Sequence, residues 1–135
     1  MLEHSCNTSL TDSEFLARFE ERSLESFSHR DHLRVAYAYA RRGGAEAAVA
    51  GARHIRELAE AAGDRGKYHE TLTVAWARVI ANLVGRAPQL SFAAFVVAHP
   101  ELHRRELLLA HYSPERLFSD EARARFVEPD VLPLP

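Results

Sequence analysis

Three short segments of this 135-residue chain set imidazoles beside carboxylates and hydroxyls: His29-Arg30-Asp31-His32, Lys67-Tyr68-His69-Glu70-Thr71 and His111-Tyr112-Ser113. His29 and His32 are three residues apart, so on a helix both rings leave one side. Neutral imidazoles with a carboxylate form a site for a divalent transition metal ion: zinc, iron, copper or manganese. The expected ligands are His32, His69 and His111, with His29 as a substitute. Glu70 or Asp31 would be the fourth ligand, or the base for a bound water. The HxxH spacing is less specific than HExxH. Adjacent His69 and Glu70 also diverge by about 100° on a helix, so both reach one ion only at a helix end.

Two metal-free alternatives stand beside this reading. In one, His69 and Glu70 do acid–base work, helped by an imidazole pKa near neutrality. In the other, the chain is a non-catalytic module that binds a ligand or a partner through the C-terminal Leu-Pro-Leu-Pro run and Phe92 and Phe95. A single core-facing histidine is more often a hydrogen-bonded structural residue than a ligand. His29 suits a cap region, and His111 suits a helix C-terminus, where the dipole favours its charged form. His4, His54, His99 and His103 fall on surfaces or loops. Tyr68 and Tyr112 read as packing residues or pocket lining, and Trp76 as core. Lys67 is the only lysine against 16 arginines. Chance explains it most simply, but beside a helix N-terminus it would bind an anionic group together with Tyr68.

The elements that must position these residues are helices. Thr11-Asp12-Ser13-Glu14 is a capping box that opens a first helix bearing Phe15, Leu16 and Phe19. Ser28 caps a second, roughly 29–42, which Gly43-Gly44 ends. A third runs roughly 45–62, with Ala48, Ala52, Ile55, Leu58 and Ala59 at helical spacing, and stops at Gly63. The fourth, roughly 68–84, carries His69, Leu72, Trp76, Val79 and Leu83 on one stripe. Ser91 caps a short fifth, and Pro100 opens a sixth to about His111. Ser113-Pro114-Glu115 starts one further turn, and Ser119-Asp120-Glu121 a last short helix ending near Phe126. Three prolines exclude helix from residues 127–135, leaving an extended strap or a frayed end.

No segment alternates well enough for a strand. The expectation is all-α: a compact bundle of four main helices, short C-terminal helices and an extended Pro-rich tail. Residues 1–10 would be a flexible leader and 11–135 one helical domain. With short connections, the second and fourth helices would run parallel. Their N-terminal histidines, and His111 from an antiparallel sixth helix, would then meet at one end.

The totals narrow the function classes. A net charge of −2 at pI 6.4 lacks the basic excess of a nucleic-acid binder. No apolar run is long enough for a membrane span, and residues 1–10 lack the pattern of a secretory signal. Cys6 is single, so there is no disulfide framework. The expected place is the cytoplasm, the expected partner is a small-molecule ligand, and a homo-oligomer is compatible with the sequence. There is no Gly-rich phosphate loop and no Ser elbow.

Ser28-His29-Arg30-Asp31-His32-Leu33-Arg34, Lys67 to Thr73, His111-Tyr112-Ser113 and Phe126 to Asp130 with the Leu-Pro-Leu-Pro end resemble a group of small bacterial all-helical proteins of uncharacterised function. The resemblance covers roughly residues 27–135 and implies that these segments belong together. It implies no reaction. The chain does not match the Glu-x-x-His pattern of ferritin-like di-iron bundles. The lead expectation is a metal-assisted enzyme, hydrolytic or oxidative, acting on a small polar or anionic molecule.

Overall fold

The computed structural model describes residues 7–61, 63 and 68–135. Among these the chain is all-α, with α1 (Asp12–Glu20), α2 (His29–Ala52), α3 (Ile55–Ala61), α4 (Glu70–Arg86), α5 (Phe92–Ala98), α6 (Pro114–Leu117) and α7 (Asp120–Ala124). No helix among them is long and apolar enough to cross a membrane.

The first two helices start where their side chains satisfy orphan amides. Thr11 Oγ1 accepts from the Glu14 amide at 3.1 Å, and Glu14 Oε1 accepts from the Thr11 amide at 2.8 Å. Those bonds hold the Glu14 pKa below its ordinary value. Ser28 and Asp31 repeat the arrangement at α2. Asn7 is buried and donates Nδ2 to Asp31 at 3.1 Å, while the Asn7 and Leu10 carbonyls accept from Arg34. These bonds tie residues 7–10 to α2; residues 1–6, with Cys6 and His4, lie outside the described residues.

Helix α2 contains two segments. Gly43 (φ −155°) and Gly44 (φ 75°, ψ −156°) break the helical backbone, and Gly44 takes a conformation that only glycine adopts readily. Before the break, His29 meets Trp76, and Tyr37 Oη donates to the Leu90 carbonyl at 2.7 Å. Residues 29–42 therefore run parallel to α4. After it, Arg53 pairs with Glu70, the first residue of α4, so residues 45–52 run back the other way. The close approach inside this hairpin falls at Gly51, where a Cβ would sit 2.2 Å from Tyr39 Cδ2.

The core is built mainly from α2 against α4. Residues 33–38 are buried without interruption, so this stretch is covered on every side, as a central helix is. Ala75, Ala77 and Ala81 of α4 are buried with Val74, Val79 and Ile80, whereas Leu72, Trp76 and Leu83 are half-buried. Helix α4 is thus buried along its small residues and half-buried along most of the large stripe seen in the sequence. Small side chains let two helix axes approach and still fill the space between them. Phe15, Leu16 and Phe19 of α1 and Phe95 of α5 close the core.

Two expected elements differ. The third helix, expected over 45–62, is divided between the return segment of α2 and α3. The sixth, expected to about His111, is instead two 3₁₀ turns, Pro100–His103 and Arg105–Ala110, separated by extended Arg104. Leu102 and Leu108 are both fully buried. Six residues apart on an α-helix they would point about 120° apart, and the break lets both reach the core.

The C-terminal residues form no helix but are tied down. Thr71 Oγ1, fully buried, donates to the Arg125 carbonyl (2.9 Å) and accepts from the Val127 amide (3.1 Å). Tyr112 Oη donates to the Val127 carbonyl at 2.8 Å. Ser113 donates its amide and hydroxyl to Asp130, which holds that carboxyl below its usual pKa. The Val131 and Leu132 amides donate to the His111 carbonyl.

Candidate functional site

His69 is the N-cap of α4, outside the helix rather than first on its stripe. Its Nδ1 accepts from the Leu72 amide at 3.1 Å, so that nitrogen carries no proton. Its Nε2 then holds the ring proton and donates to the Leu117 carbonyl at 2.7 Å. The ring is neutral by geometry, and both nitrogens are spent. Burial lowers its pKa, against the opposing pull of the Leu117 carbonyl. His69 thus caps α4 and fastens α6 to it.

Glu70, at the first position of α4, is equally committed. Tyr68 Oη donates to Oε1 at 2.6 Å, Arg53 Nε donates to Oε2 at 2.9 Å, and Arg56 lies 3.5 Å from Oε1. The Arg56 guanidinium also sits 4.8 Å over the Tyr68 ring. Burial, then the Glu70 carboxylate, pushes the Tyr68 pKa up to about 12. Both Glu70 oxygens are occupied, and a phenol with so high a pKa is a poor acid near neutrality. Tyr68 and Glu70 are brought together as a structural ion-pair cluster. Lys67 lies outside the described residues.

The remaining histidines stand apart from this cluster. His29 Nε2 lies 2.9 Å from the Leu102 carbonyl, with its ring edge-on to Trp76 at 5.4 Å. Trp76 is seven residues beyond His69, about 10 Å along α4 at 1.5 Å per residue. Residues 29–42 do run parallel to α4, but they start two turns further along. His32 is exposed; its Nδ1 lies 2.9 Å from the Ser28 carbonyl and its ring packs on Phe27 at 4.3 Å. His111 Nδ1 lies 3.0 Å from the Pro133 carbonyl, at the tail. Among the described residues no three His, Cys, Asp or Glu side chains gather into a group able to hold a metal ion. The expected ligands His29, His32, His69 and His111 are not brought together in this structure: each is tied separately to a backbone carbonyl. Tyr112 is likewise fully buried under the tail and lines no pocket with His69. Phe92 and Phe95 are buried too, which removes them from a partner-binding surface.

A cleft of about 420 Å³ lies elsewhere, lined by Thr8, Thr11, Asp12, Arg30, Asp31, Arg34, Ser91, Phe92 and Ala93. It sits where the chain before α1, the start of α2 and the start of α5 meet. Arg30 and Arg34 are one helical turn apart and reach the same ring, with guanidiniums 5.1 and 5.9 Å from the Phe92 centroid. Arg34 donates Nε and Nη2 to Asp12 Oδ1 (3.0 and 2.9 Å), Nη1 to the Asn7 carbonyl and Nη2 to the Leu10 carbonyl. Arg30, half-buried, pairs with no carboxylate among the described residues. Thr11 and Ser91 accept amide bonds through their oxygens, so their hydroxyl protons are free to donate. The sequence signal for this cleft is the Arg30/Arg34 spacing at the start of α2; nothing local announces that Phe92 joins them. Two further depressions lie between residues 45–53 and α4, and beside the tail at Arg78. In the first of these, Arg78 stacks on Phe126 at 4.6 Å over a mostly alanine and valine lining.

Comparison of the chain with models of protein families, with curated proteins and with solved structures finds no match.

Proposed function

We propose that this chain is a non-catalytic binding module that takes a small anionic molecule into the Arg30 cleft. The observation that carries the reading is the Arg30 guanidinium, held over the Phe92 ring in a cleft of about 420 Å³ and without a carboxylate partner among the described residues. A half-buried guanidinium that keeps donors unspent gains when a planar anion replaces its water. The free hydroxyl protons of Thr11 and Ser91 supply further donors on the same lining. Among the described residues, the acid–base alternative at His69 and Glu70 has no supporting group with a free acceptor, and the metal alternative has no assembled ligand set.

The test is titration of the isotopically labelled protein with acetate, succinate and inorganic phosphate, followed through backbone amide shifts. Saturable shifts at Thr11, Arg30, Ser91 and Phe92 are expected for at least one of the three anions. Arg30→Gln should weaken that binding tenfold or more while leaving the remaining spectrum in place. Absence of saturable shifts at these residues with these anions and with carboxylate-bearing zwitterions alike, or unchanged affinity in Arg30→Gln, overturns the reading.

A further inference from the structure

Resting on that reading, we infer that the molecule held at Arg30 is a zwitterion, a free amino acid whose carboxylate faces Arg30 and whose ammonium faces Asp12. The cleft contains two cations and two anions, Arg30, Arg34, Asp12 and Asp31. Two of the four, Arg34 and Asp31, are used up within the fold. Arg34 is buried and spends all three of its nitrogens on Asp12, Asn7 and Leu10. Asp31 is buried, and its Oδ2 accepts from Asn7 Nδ2, the Ser28 amide and the Ser28 hydroxyl. Asp12 spends only Oδ1, on Arg34; its Oδ2 accepts no hydrogen bond among the described residues, and 41% of its side chain is exposed.

What the lining offers a ligand is therefore one guanidinium and one carboxylate oxygen, with hydroxyl donors and an aromatic ring between the walls. A dianion would meet Arg30 but also face the free oxygen of Asp12, and like charges at close range repel. A simple monoanion would leave that oxygen without a partner as the cleft loses water, which costs free energy. An ammonium three bonds from a carboxylate meets both demands, and the Phe92 ring gives an aliphatic side chain an apolar contact. The volume of about 420 Å³ exceeds that of a small amino acid, leaving room for such a side chain.

The test compares three matched probes on the unaltered protein: L-alanine, N-acetyl-L-alanine, which lacks the ammonium, and L-alaninamide, which lacks the carboxylate. The set is repeated with L-leucine and its two blocked forms. The expected result is saturable shifts at Thr11, Asp12, Arg30 and Phe92 with at least one free amino acid, and affinities at least tenfold weaker for both of its blocked forms. Arg30→Gln should weaken binding of the free amino acid tenfold or more, and Asp12→Asn should abolish its advantage over the N-acetyl form. If Asp12→Asn fails to fold, the probe comparison alone decides. An N-acetyl form binding as tightly as the free amino acid overturns the zwitterion and leaves the anion reading standing, as does binding of acetate with none of either amino acid. Failure of all six probes together with acetate, succinate and phosphate overturns both.

Discussion

Removing the His69 ring tests the claim that this residue is a fastener. In His69→Ala, α4 loses its cap acceptor for the Leu72 amide, a change that costs about 0.5–2 kcal/mol in other helices. The Leu117 carbonyl loses its donor at a buried site, which adds about 1–3 kcal/mol. The two together predict a loss of roughly 2–4 kcal/mol, large against the 5–15 kcal/mol typical of a whole domain. The pH dependence gives an independent signature. Burial lowers the folded pKa of His69 below the ordinary value of 6.5, opposed by Leu117 and helped by Arg123. The unfolded chain then binds the proton first as pH falls. Stability from the neutral ring is fully present above about pH 6.5 and is lost as pH falls toward the folded pKa, with a slope of at most about 1.4 kcal/mol per pH unit. His32 has the same sign, since protein around its ring lowers its pKa, but its solvent exposure weakens the effect. Urea denaturation of the unaltered protein, His69→Ala and His69→Asn between pH 5 and 8 is the assay. His69→Asn retains a cap acceptor and cannot titrate, so its curve should be flatter and converge with the unaltered protein's at low pH. A loss below about 0.5 kcal/mol in His69→Ala, within the range of ordinary surface changes, would refute the fastener. So would an acid slope that survives in His69→Asn undiminished.

Three other substitutions probe the packing that surrounds the site. Gly51→Ala places a Cβ against three ring atoms of Tyr39, at 2.2 to 2.5 Å, and should lower stability by about 1–3 kcal/mol with movement of the ring, seen by thermal melting and aromatic shifts. Thr71→Val keeps the shape but strips the Arg125 carbonyl and Val127 amide of their shared hydroxyl; a loss of about 2–4 kcal/mol is expected on denaturation, and Thr71→Ser should recover much of it. Glu70→Gln removes the charge beside Tyr68 while leaving the larger effect of burial, so absorbance titration should show the phenol ionising at lower pH than the unaltered value of about 12, yet still above 10.

Much of the local structure was legible residue by residue. Thr11, Ser28, Ser91, Ser113 and Ser119 each cap the helix expected of them, because a hydroxyl acceptor two or three residues ahead of free amides acts within one turn. The Gly43-Gly44 break was legible for the same reason: the backbone of Gly44 (φ 75°, ψ −156°) is one that glycine adopts far more readily than other residues. The sixth helix was not, since the need of Leu102 and Leu108 to reach one core is a demand of the surroundings. The candidate site was read least well. Histidine spacing drew attention to His29, His32, His69 and His111, and the structure commits each to a different carbonyl.

What the amino-acid sequence determined by itself was where helices begin, where one must break, and that no strand forms. These depend on hydrogen bonds and backbone preferences spanning a few residues. Which side chains meet was decided only by the tertiary structure. The Gly43-Gly44 reversal sends residues 45–52 back along α4 and brings Arg53 to Glu70, while residues 29–42 start two turns beyond His69. An offset of about 10 Å between two parallel helices leaves no trace in spacing along the chain, because it is set by how small and large side chains interlock across the α2–α4 interface. The same interlocking brings Phe92, sixty-two residues from Arg30, under its guanidinium and makes the cleft.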